Sequence, residues 1–170
     1  DLFDCTYYQD IDTINLGKNT TDEKIKNKQV RSHDNSEWQK KGVKPKIGIK
    51  EDFVKKIQKF RPDLILVSVV ESSWFLAVDL LESVPEKDRK YKTLVGGVFA
   101  TYASETIIKS QHVDYVCRGE GEEPIIEMCN KLISGVRIDD VQNLTIKADS
   151  QIFRNQLRAA MDINTVPIPD

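Results

Sequence analysis

Two loops of this chain join glycines to polar side chains at points where a ligand could reach the main chain. Gly96-Gly97 and Gly119-Glu120-Gly121-Glu122 hold four of the eight glycines among the 170 residues. Adjacent glycines lack Cβ atoms, so a flat or bulky group can press against their backbone, and they also permit positive φ. The glutamates could accept hydrogen bonds from neutral amides or hydroxyls. Two tight strand-to-helix turns would use the same residues, and this structural alternative stays open.

A third group of polar side chains, Ser68, Glu71 and Ser72, comes at the end of an apolar run over residues 64–70. Ligands of open parallel α/β sheets bind where the carboxyl ends of the strands gather, so the three groups predict one binding edge. The spacing of the glycines matches neither the dinucleotide-binding fingerprint nor the phosphate-binding loop of nucleotide hydrolases. In addition, Glu120 and Glu122 would repel a phosphate.

Histidine and cysteine side chains offer little chemistry of their own. The two histidines, His33 and His112, have no evident partner, which argues against nucleophilic triads and clustered metal ligands. The three cysteines, Cys5, Cys117 and Cys129, are far apart and odd in number, so they exclude a disulfide framework or a Cys-x-x-Cys metal site. They fit the reducing cytoplasm. The residues therefore indicate a binding domain without catalytic or metal-ligating side chains of its own.

The elements that must position the loops alternate regularly after residue 51. Predicted strands occupy residues 64–70, 91–95 and 113–117, and each leads through a loop into a helix. Such a succession predicts a parallel sheet wound by right-handed crossovers. The first strand is almost continuously apolar, which is typical of a strand covered on both faces. The predicted buried stripes are Phe53, Val54, Ile57 and Phe60; Trp74, Phe75, Ala77, Val78, Leu81 and Val84; Ile107 and Ile108; and Ile125, Ile126, Met128, Cys129, Leu132 and Ile133.

Less regular segments flank these elements. Residues 1–4 are expected to end one more strand, residues 143–147 to add an edge strand, and residues 154–161 to form a short helix. We predict one α/β domain over residues 1–160. The proline-rich end, residues 161–170, is expected to be a linker leaving the domain.

Residues 15–50 lack apolar periodicity and predict a long, polar and basic connection, with at most one short helix at 21–30. Residues 18–61 hold 14 Lys and Arg against 6 Asp and Glu. A basic stretch raises the question of nucleic-acid binding, but Trp38 is the one aromatic residue of the connection, so a solvated loop is favoured and no nucleic-acid partner is expected. No apolar run approaches the roughly 20 residues that span a bilayer, so no membrane partner is expected either.

Three segments in order carry a family resemblance: Arg61-Pro62-Asp63-Leu64-Ile65-Leu66-Val67-Ser68, then Leu94-Val95-Gly96-Gly97-Val98-Phe99-Ala100-Thr101, then Val113-Asp114-Tyr115-Val116-Cys117-Arg118-Gly119-Glu120-Gly121-Glu122. Together they resemble the cobalamin-binding domain that precedes the barrel of cobalamin-dependent radical S-adenosylmethionine enzymes. The end of the chain, residues 161–170, is similar to the segment between the two domains of that family. The resemblance covers about residues 51–170, and residues 2–6 look like the end of the family's second strand.

The resemblance implies a flavodoxin-like, Rossmann-like α/β fold with helices on both faces of a parallel sheet, whose first strand and helix would precede Asp1. It implies that the domain binds cobalamin with the nucleotide tail in a slot beside the sheet. Gly96 and Gly97 would leave that slot open, and Ser68 would hydrogen-bond the tail. The full set of implied cofactor-binding residues is Ser68, Val69, Glu71, Gly96, Gly97, Val98, Thr101, Gly119, Glu120, Gly121 and Glu122.

The resemblance also implies that radical chemistry lies elsewhere in the polypeptide. The Cys-x-x-x-Cys-x-x-Cys motif that binds a 4Fe-4S cluster is missing here, so the cluster and S-adenosylmethionine are expected in a downstream radical domain, the partner of this one. The parent enzyme is expected to be a methyltransferase or a related radical enzyme. Classical cobalamin domains carry Asp-x-His-x-x-Gly, but Thr6 and Gln9 stand where His and Gly would, so no histidine ligand of cobalt is assigned.

Two other functions remain open from the sequence. A member of the same fold that has lost the corrin could serve as a docking domain, with the basic residues 18–61 as its contact surface. A regulatory domain of the response-regulator kind would share the α/β pattern, although the acidic cluster that follows the first strand in such domains is not present.

Overall fold

The computed structural model describes residues 1–5, 8, 42, 46–148, 151–162 and 164. The chain forms two compact units, one made of Asp1–Asp63 with Ser72–Tyr91 and the other of Leu64–Glu71 with Lys92–Asp170. The connection and helix predicted within residues 15–50 and the end of the predicted linker lie mainly outside the described residues.

Two helices dominate the described part of the first unit. Helix α1 spans Ile49–Phe60 and helix α2 spans Trp74–Ser83, with short 3₁₀ turns at Glu71–Ser73 and Glu86–Asp88. Lys50 Nζ of α1 donates to Asp79 Oδ1 of α2 at 2.8 Å, an ion pair between the two helices. Arg61 takes a left-handed conformation and closes α1 by donating its N–H to Ile57 O at 2.8 Å.

The predicted stripes of these helices are right in their centres and wrong at their borders. Phe53 and Ile57 of α1 are buried, whereas Phe60 is exposed because it is the last helical residue and lies beyond the buried positions. In α2 the predicted Phe75 is exposed. It stands one residue, about 100° of rotation, away from the buried Trp74, whereas Leu80, which the stripe omitted, is buried.

The second unit is a five-stranded sheet. Its strands are β1 Leu64–Ser68, β2 Lys92–Gly96, β3 Tyr115–Cys117, β4 Leu144–Ala148 and β5 Gln151–Arg154, ordered β1-β2-β3-β4-β5. The first three run parallel, β4 is antiparallel to β3, and β5 is antiparallel to β4. Helices α3 Val98–Tyr102 and α4 Ser104–Ile107 follow β2, and α5 Glu122–Ile133 follows β3. This arrangement confirms the predicted flavodoxin-like α/β fold.

Each face of the sheet has its own packing. On one face, Met128 of α5 joins a buried cluster with strand residues that point the same way: Leu94, Tyr115, Cys117, Leu144 and Ile146. The opposite face carries Val95 and Val116, both fully buried. In α5 itself only Pro124 and Met128 are buried, so the predicted stripe is wrong at Ile126, Leu132 and Ile133, which are exposed.

Strand β1 differs from its prediction as a strand covered on both faces. Leu66 is 51% exposed, and Ser68 and Val70 are also exposed, while Leu94 beside Leu66 is buried. The reason is position: β1 is the edge strand of the described sheet, and only its first residue, the partly buried Leu64, packs against the buried cluster. An apolar strand sequence predicts burial, but it does not show whether a helix extends over that strand.

Three further expectations are wrong at the ends of the chain. The strand predicted at 143–147 is internal rather than an edge strand, because β5 pairs with its free side. No helix forms over 154–161, since β5 ends at Arg154 and residues 155–162 have no regular structure. Residues 1–5 contain no strand. Helix α3 was not predicted from the sequence.

No helix among the described residues is long and apolar enough to cross a membrane. Cys5, Cys117 and Cys129 are all free thiols.

The packing of α5 leads to a stability prediction. Met128→Ala should lower the free energy of unfolding by about 2–5 kcal/mol, because Met128 is fully buried and truncation leaves a cavity. Ile126→Ala on the same helix should change it by no more than about 0.5 kcal/mol, because that side chain is exposed. Urea unfolding measures both, and equal losses would contradict the packing of α5.

Candidate functional site

The three predicted groups lie side by side at the carboxyl ends of the three parallel strands, and we name them the first tip (residues 68–71), the second tip (residues 96–102) and the third tip (residues 118–122). Ser68 ends β1 and pairs in register with Gly96, which ends β2. Val95 pairs with Val116, which brings Gly96 beside Cys117 at the end of β3. A Cβ placed on Gly96 would lie 4.0 Å from the Cβ of Cys117, an ordinary contact. Ser68, Gly96 and Cys117 therefore form one row across the sheet.

This row opens onto an uncovered part of the sheet face, which we name the bare strip and define as Leu66, Ser68 and Gly96. Side chains two residues apart on a strand point to the same face, so Leu66 and Ser68 share the face of the buried Leu94. Both are nevertheless exposed. Gly96 adds no side chain next to them, and Cys117 Cβ, 4.0 Å from the position of its missing Cβ, is the one neighbouring atom within that distance.

Gly97 differs from Gly96, and here the predicted open slot is wrong. A Cβ on Gly97 would lie 2.6 Å from Val69 O, 2.8 Å from Val69 N and 3.1 Å from Ser68 Oγ. Its φ of 94° and ψ of −179° belong to a region that is essentially restricted to glycine. The missing side chain thus allows two main chains to touch, and neighbouring backbone rather than ligand fills the space.

Hydrogen bonds on either side of Gly97 fasten the ends of β1 and β2 together. Val69 donates its N–H to Gly96 O at 3.0 Å, and Phe99 donates its N–H to Val69 O at 3.2 Å. Val69 itself is buried. Its predicted part in ligand binding therefore reduces to its main chain, which holds the second tip against the first.

Thr101 joins the second tip to the third. Its hydroxyl donates to Gly97 O at 3.3 Å and accepts the N–H of Gly119 at 2.9 Å. The Thr101 N–H also donates to Gly97 O at 3.2 Å. The structure brings together these predicted residues, but it engages the threonine hydroxyl in holding the loops in place.

The three predicted carboxylates of the site have different surroundings. Glu120 accepts three hydrogen bonds: its carboxylate Oε2 accepts the N–H of Met161 at 2.9 Å, and its carbonyl accepts Asn143 Nδ2 at 2.9 Å and Cys117 Sγ at 3.8 Å. Glu71 and Glu122 are exposed, at the start of a 3₁₀ turn and of α5 respectively. Gly121 is close to Cys117, because a Cβ placed on this glycine would lie 3.9 Å from the sulfur.

Sequence reasoning missed two exposed apolar residues at this edge, Val70 and Tyr102. Tyr102 is 86% exposed and lies one helical turn from the predicted Val98, which is 65% exposed, and Val70 is exposed after β1. The spacing of Val98 and Tyr102 was the available signal, but it was hidden because α3 was not predicted. Asn143 was read only as the start of a strand, and no local pattern distinguishes it.

Two groups beside the third tip have perturbed ionisation. Burial raises the pKa of the Cys117 thiol to about 11, and the negative charge of Glu122 acts in the same direction. Burial also lowers the pKa of Arg118, helped by the positive charge of Arg154. The thiol is therefore neutral at ordinary pH, while the arginine stays charged.

Within the described ranges, no three His, Cys, Asp or Glu side chains cluster in a way that could hold a metal ion. The outer side of α5 borders an open groove of about 460 Å³. None of the predicted site residues lines this groove, which passes Ile126, Asn130 and Val136.

Comparison with known proteins identifies the family. A family profile described as the B12 binding domain matches residues 10–128, which is most of the chain. The chain belongs to the B12-binding domain family. The family confirms the resemblance seen in the three sequence segments, and with it cobalamin as the cofactor.

Relatives of this B12-binding domain are larger proteins. An uncharacterized methyltransferase of Pyrococcus horikoshii is 25% identical over 120 residues, which are 69% of this chain and 26% of the relative. The chain thus spans about a quarter of that relative's length.

Two solved structures share the fold. The radical S-adenosylmethionine methyltransferase TsrM of Kitasatospora setae, with cobalamin and a [4Fe-4S] cluster bound, aligns at a TM-score of 0.57 and 12% identity over 79% of this chain and 27% of its own. The cobalamin-dependent radical enzyme OxsB with aqua-cobalamin aligns at a TM-score of 0.57 and 20% identity over 65% of this chain and 16% of its own.

The contact at Gly97 predicts a strong difference between two glycines of the B12-binding domain. Gly97→Ala should lower the free energy of unfolding by about 1–3 kcal/mol for the backbone conformation alone, and displacement of Val69 adds to that loss. Gly121→Ala is the matched control, with an ordinary φ of −103° and only the flexible end of Ile125 in its way. Similar unfolding midpoints for the two variants in urea would contradict the close approach.

The neutral thiol predicts slow alkylation. At pH 8, iodoacetamide should modify Cys117 about 100-fold more slowly in the native protein than in urea, because a pKa raised from 9.0 to about 11 lowers the thiolate fraction by that factor. The rate should climb until the pH reaches about 11.

A charge variant separates ionisation from simple burial. Glu122→Gln removes a charge that opposes the thiolate, so Cys117 should react faster, while Glu123→Gln, the matched control, should leave the rate unchanged. Mass spectrometry assigns the modified cysteine. Equal native and denatured rates at Cys117 would contradict the raised pKa.

Proposed function

We propose that this domain binds cobalamin at the edge formed by its three loop tips and that the bare strip receives the nucleotide tail. The observation that carries the proposal is the uncovered sheet surface at Leu66, Ser68 and Gly96, beside an otherwise fully buried core. This uncovered surface combines one apolar side chain, one hydroxyl and one glycine at the carboxyl ends of parallel strands, which suits a ring system.

Apolar contacts favour such a ligand. Leu66, Val70, Val98 and Tyr102 are large apolar residues that remain exposed in the first and second tips and their strand. Covering about 100 Å² of apolar surface contributes about 2.5 kcal/mol of binding free energy. The cofactor would therefore gain from residues that otherwise face water.

Polar contacts would fix the orientation of the cofactor. The exposed hydroxyl of Ser68 can hydrogen-bond the tail, and the exposed carboxylates of Glu71 and Glu122 can accept from the neutral amides of the corrin rim. Main-chain groups of Val98, Gly119 and Gly121 complete the predicted set. Val69, Gly97, Thr101 and Glu120 would instead act by holding the tips in position.

The role of this domain would be to bind and orient the cofactor for a reaction carried out by another part of the protein. When bound, cobalamin supplies a cobalt centre that can carry a methyl group.

We propose that the whole protein is a cobalamin-dependent radical S-adenosylmethionine enzyme, a methyltransferase or a related radical enzyme, with its cluster in a downstream domain. Support comes from the relative described as a methyltransferase and from the two radical enzymes that share the fold. The three free thiols support a cytoplasmic location.

Titration with hydroxocobalamin tests the proposal. The purified protein should change the visible spectrum of the cofactor and retain its colour after desalting. Gly96→Val should weaken binding by about 100-fold or more, because its side chain would occupy the bare strip, while circular dichroism stays unchanged since Gly96 has no positive φ. Ser68→Ala should weaken binding by about 2- to 12-fold, the value of one hydrogen bond.

Ser134 supplies matched controls for both variants. It lies just after α5, which begins at the site and extends about 18 Å away from it. Ser134→Val and Ser134→Ala should bind as the unmodified protein does. Absence of any spectral change with the unmodified protein would reject cobalamin binding, and full affinity of Gly96→Val would reject the bare strip as the place of the tail.

A further inference from the structure

Asn143 joins two parts of the second unit through four hydrogen bonds. Its carbonyl accepts the N–H of Arg118 at 2.9 Å, and its own N–H donates to Gln156 O at 2.9 Å. Its side-chain Nδ2 donates to Glu120 O at 2.9 Å, while Oδ1 accepts the N–H of Arg158 at 2.7 Å. Every bond leads either to the third tip or to the residues after β5.

The residues after β5, which we name the exit segment and define as residues 155–162, depend on such bonds because they contain no helix or strand. Asn155 Nδ2 donates to Asp139 O and Val141 O, both at 2.8 Å. At its far end, Met161 donates its N–H to the carboxylate of Glu120 at 2.9 Å.

Two arginines add charge-assisted contacts to the same segment. The buried guanidinium of Arg118, 5% exposed, donates to Asn155 O. Arg158 pairs with Glu123 and Glu127 of α5. The third tip and the beginning of α5 therefore supply much of what fixes the exit segment.

The position of Asn143 requires its particular side chain. Its φ is 69°, a left-handed conformation that asparagine tolerates better than most residues, and its side chain is 4% exposed. An amide presents a donor and an acceptor at once, so one side chain can hold a carbonyl of the loop and an N–H of the exit segment. Aspartate lacks the donor, and glycine lacks both groups.

We propose that Asn143 is a positioning residue that makes the conformation of the loop Gly119–Glu122 and that of the exit segment depend on each other. The exit segment leads out of the sheet, so whatever orders the loop also orders the way the chain leaves the domain. The part of the inference that concerns a ligand rests on the proposed function: cobalamin bound at the loop stabilises the exit segment, and by linkage an ordered exit segment strengthens cobalamin binding by the same factor.

Hydrogen exchange in the full-length protein, without cobalamin, tests the bridge itself. Asn143→Gly keeps the left-handed backbone and removes both side-chain bonds. The Arg158 N–H then loses its acceptor, and the loop around Gly119, whose own N–H is accepted by Thr101, loses the bond that holds Glu120 O. Both amides should therefore exchange about tenfold faster, a factor that corresponds to one hydrogen bond. Asn143→Asp keeps an acceptor for Arg158 but turns a carboxylate oxygen toward Glu120 O. Exchange should then accelerate at Gly119 and stay unchanged at Arg158.

Asn130, exposed on α5, supplies matched controls for general destabilisation. Asn130→Gly and Asn130→Asp should leave the difference between the two amides as it is in the unmodified protein. Unchanged exchange at both amides in Asn143→Gly, or equal acceleration at both in Asn143→Asp, would overturn the proposal. If Asn143→Gly fails to fold, Asn143→Asp decides alone, and if neither folds, the unmodified protein with cobalamin decides.

Adding hydroxocobalamin tests the coupling. In the unmodified protein it should slow exchange at Arg158 and Met161 by about tenfold, and in Asn143→Asp this protection should be lost while the cofactor still binds about tenfold more weakly. Binding without protection in the unmodified protein would overturn the coupling. If the unmodified protein binds no cobalamin, the proposed function fails, and the exchange rates without cofactor still decide whether Asn143 bridges loop and exit segment.

Discussion

Direct contact between two main chains governs the arrangement of this B12-binding domain. Gly97 approaches Val69 so closely that a Cβ would lie 2.6 Å from its carbonyl oxygen, and hydrogen bonds on both sides hold the contact. Because the register of β1 against β2 ends at Ser68 and Gly96, this contact also fixes the serine hydroxyl relative to the uncovered backbone beside it. A ligand meeting both groups would find them already in place, which lowers the entropic cost of binding.

The two adjacent glycines consequently serve different purposes, although they look equivalent in the sequence. Gly96 leaves space on the sheet face, whereas Gly97 is required by a backbone conformation and by a close neighbour. The hydroxyl of Thr101 donates to Gly97 O and accepts the N–H of Gly119, so it links the second tip to the third. Asn143 in turn links the third tip to the exit segment by hydrogen bonds. Side chains that look suited to a ligand thus hold one loop against the next.

Much of the fold was predictable because it depends on local patterns. Apolar runs followed by a glycine loop or by a polar Glu-Ser-Ser segment located the three parallel strands within a few residues, and Met128, Ile107 and Ile108 were correctly placed inside. What failed depends on distant parts of the chain. Periodicity locates an apolar stripe but not the limit of the element that covers it, so β1 and the outer side of α5 were misjudged. The exit segment was misread as a helix because its bonds come from residues such as Arg118 and Asn143, which are remote in sequence.

The neutral state of the Cys117 thiol is compatible with the proposed binding of an apolar ring at the bare strip. Cys117 stands in the same row as Ser68 and Gly96, and its raised pKa keeps the sulfur neutral. The nearest buried charge, Arg118, is turned to the carbonyl of Asn155 in the exit segment. The charges at this edge therefore lie on the carboxylates of Glu71, Glu120 and Glu122, three exposed residues whose charges water screens. The bare strip is thus uncharged, and carboxylates lie around it. This arrangement suits a cofactor that combines apolar rings with neutral amides, because the rings would displace water from the bare strip while the amides would keep polar partners around it.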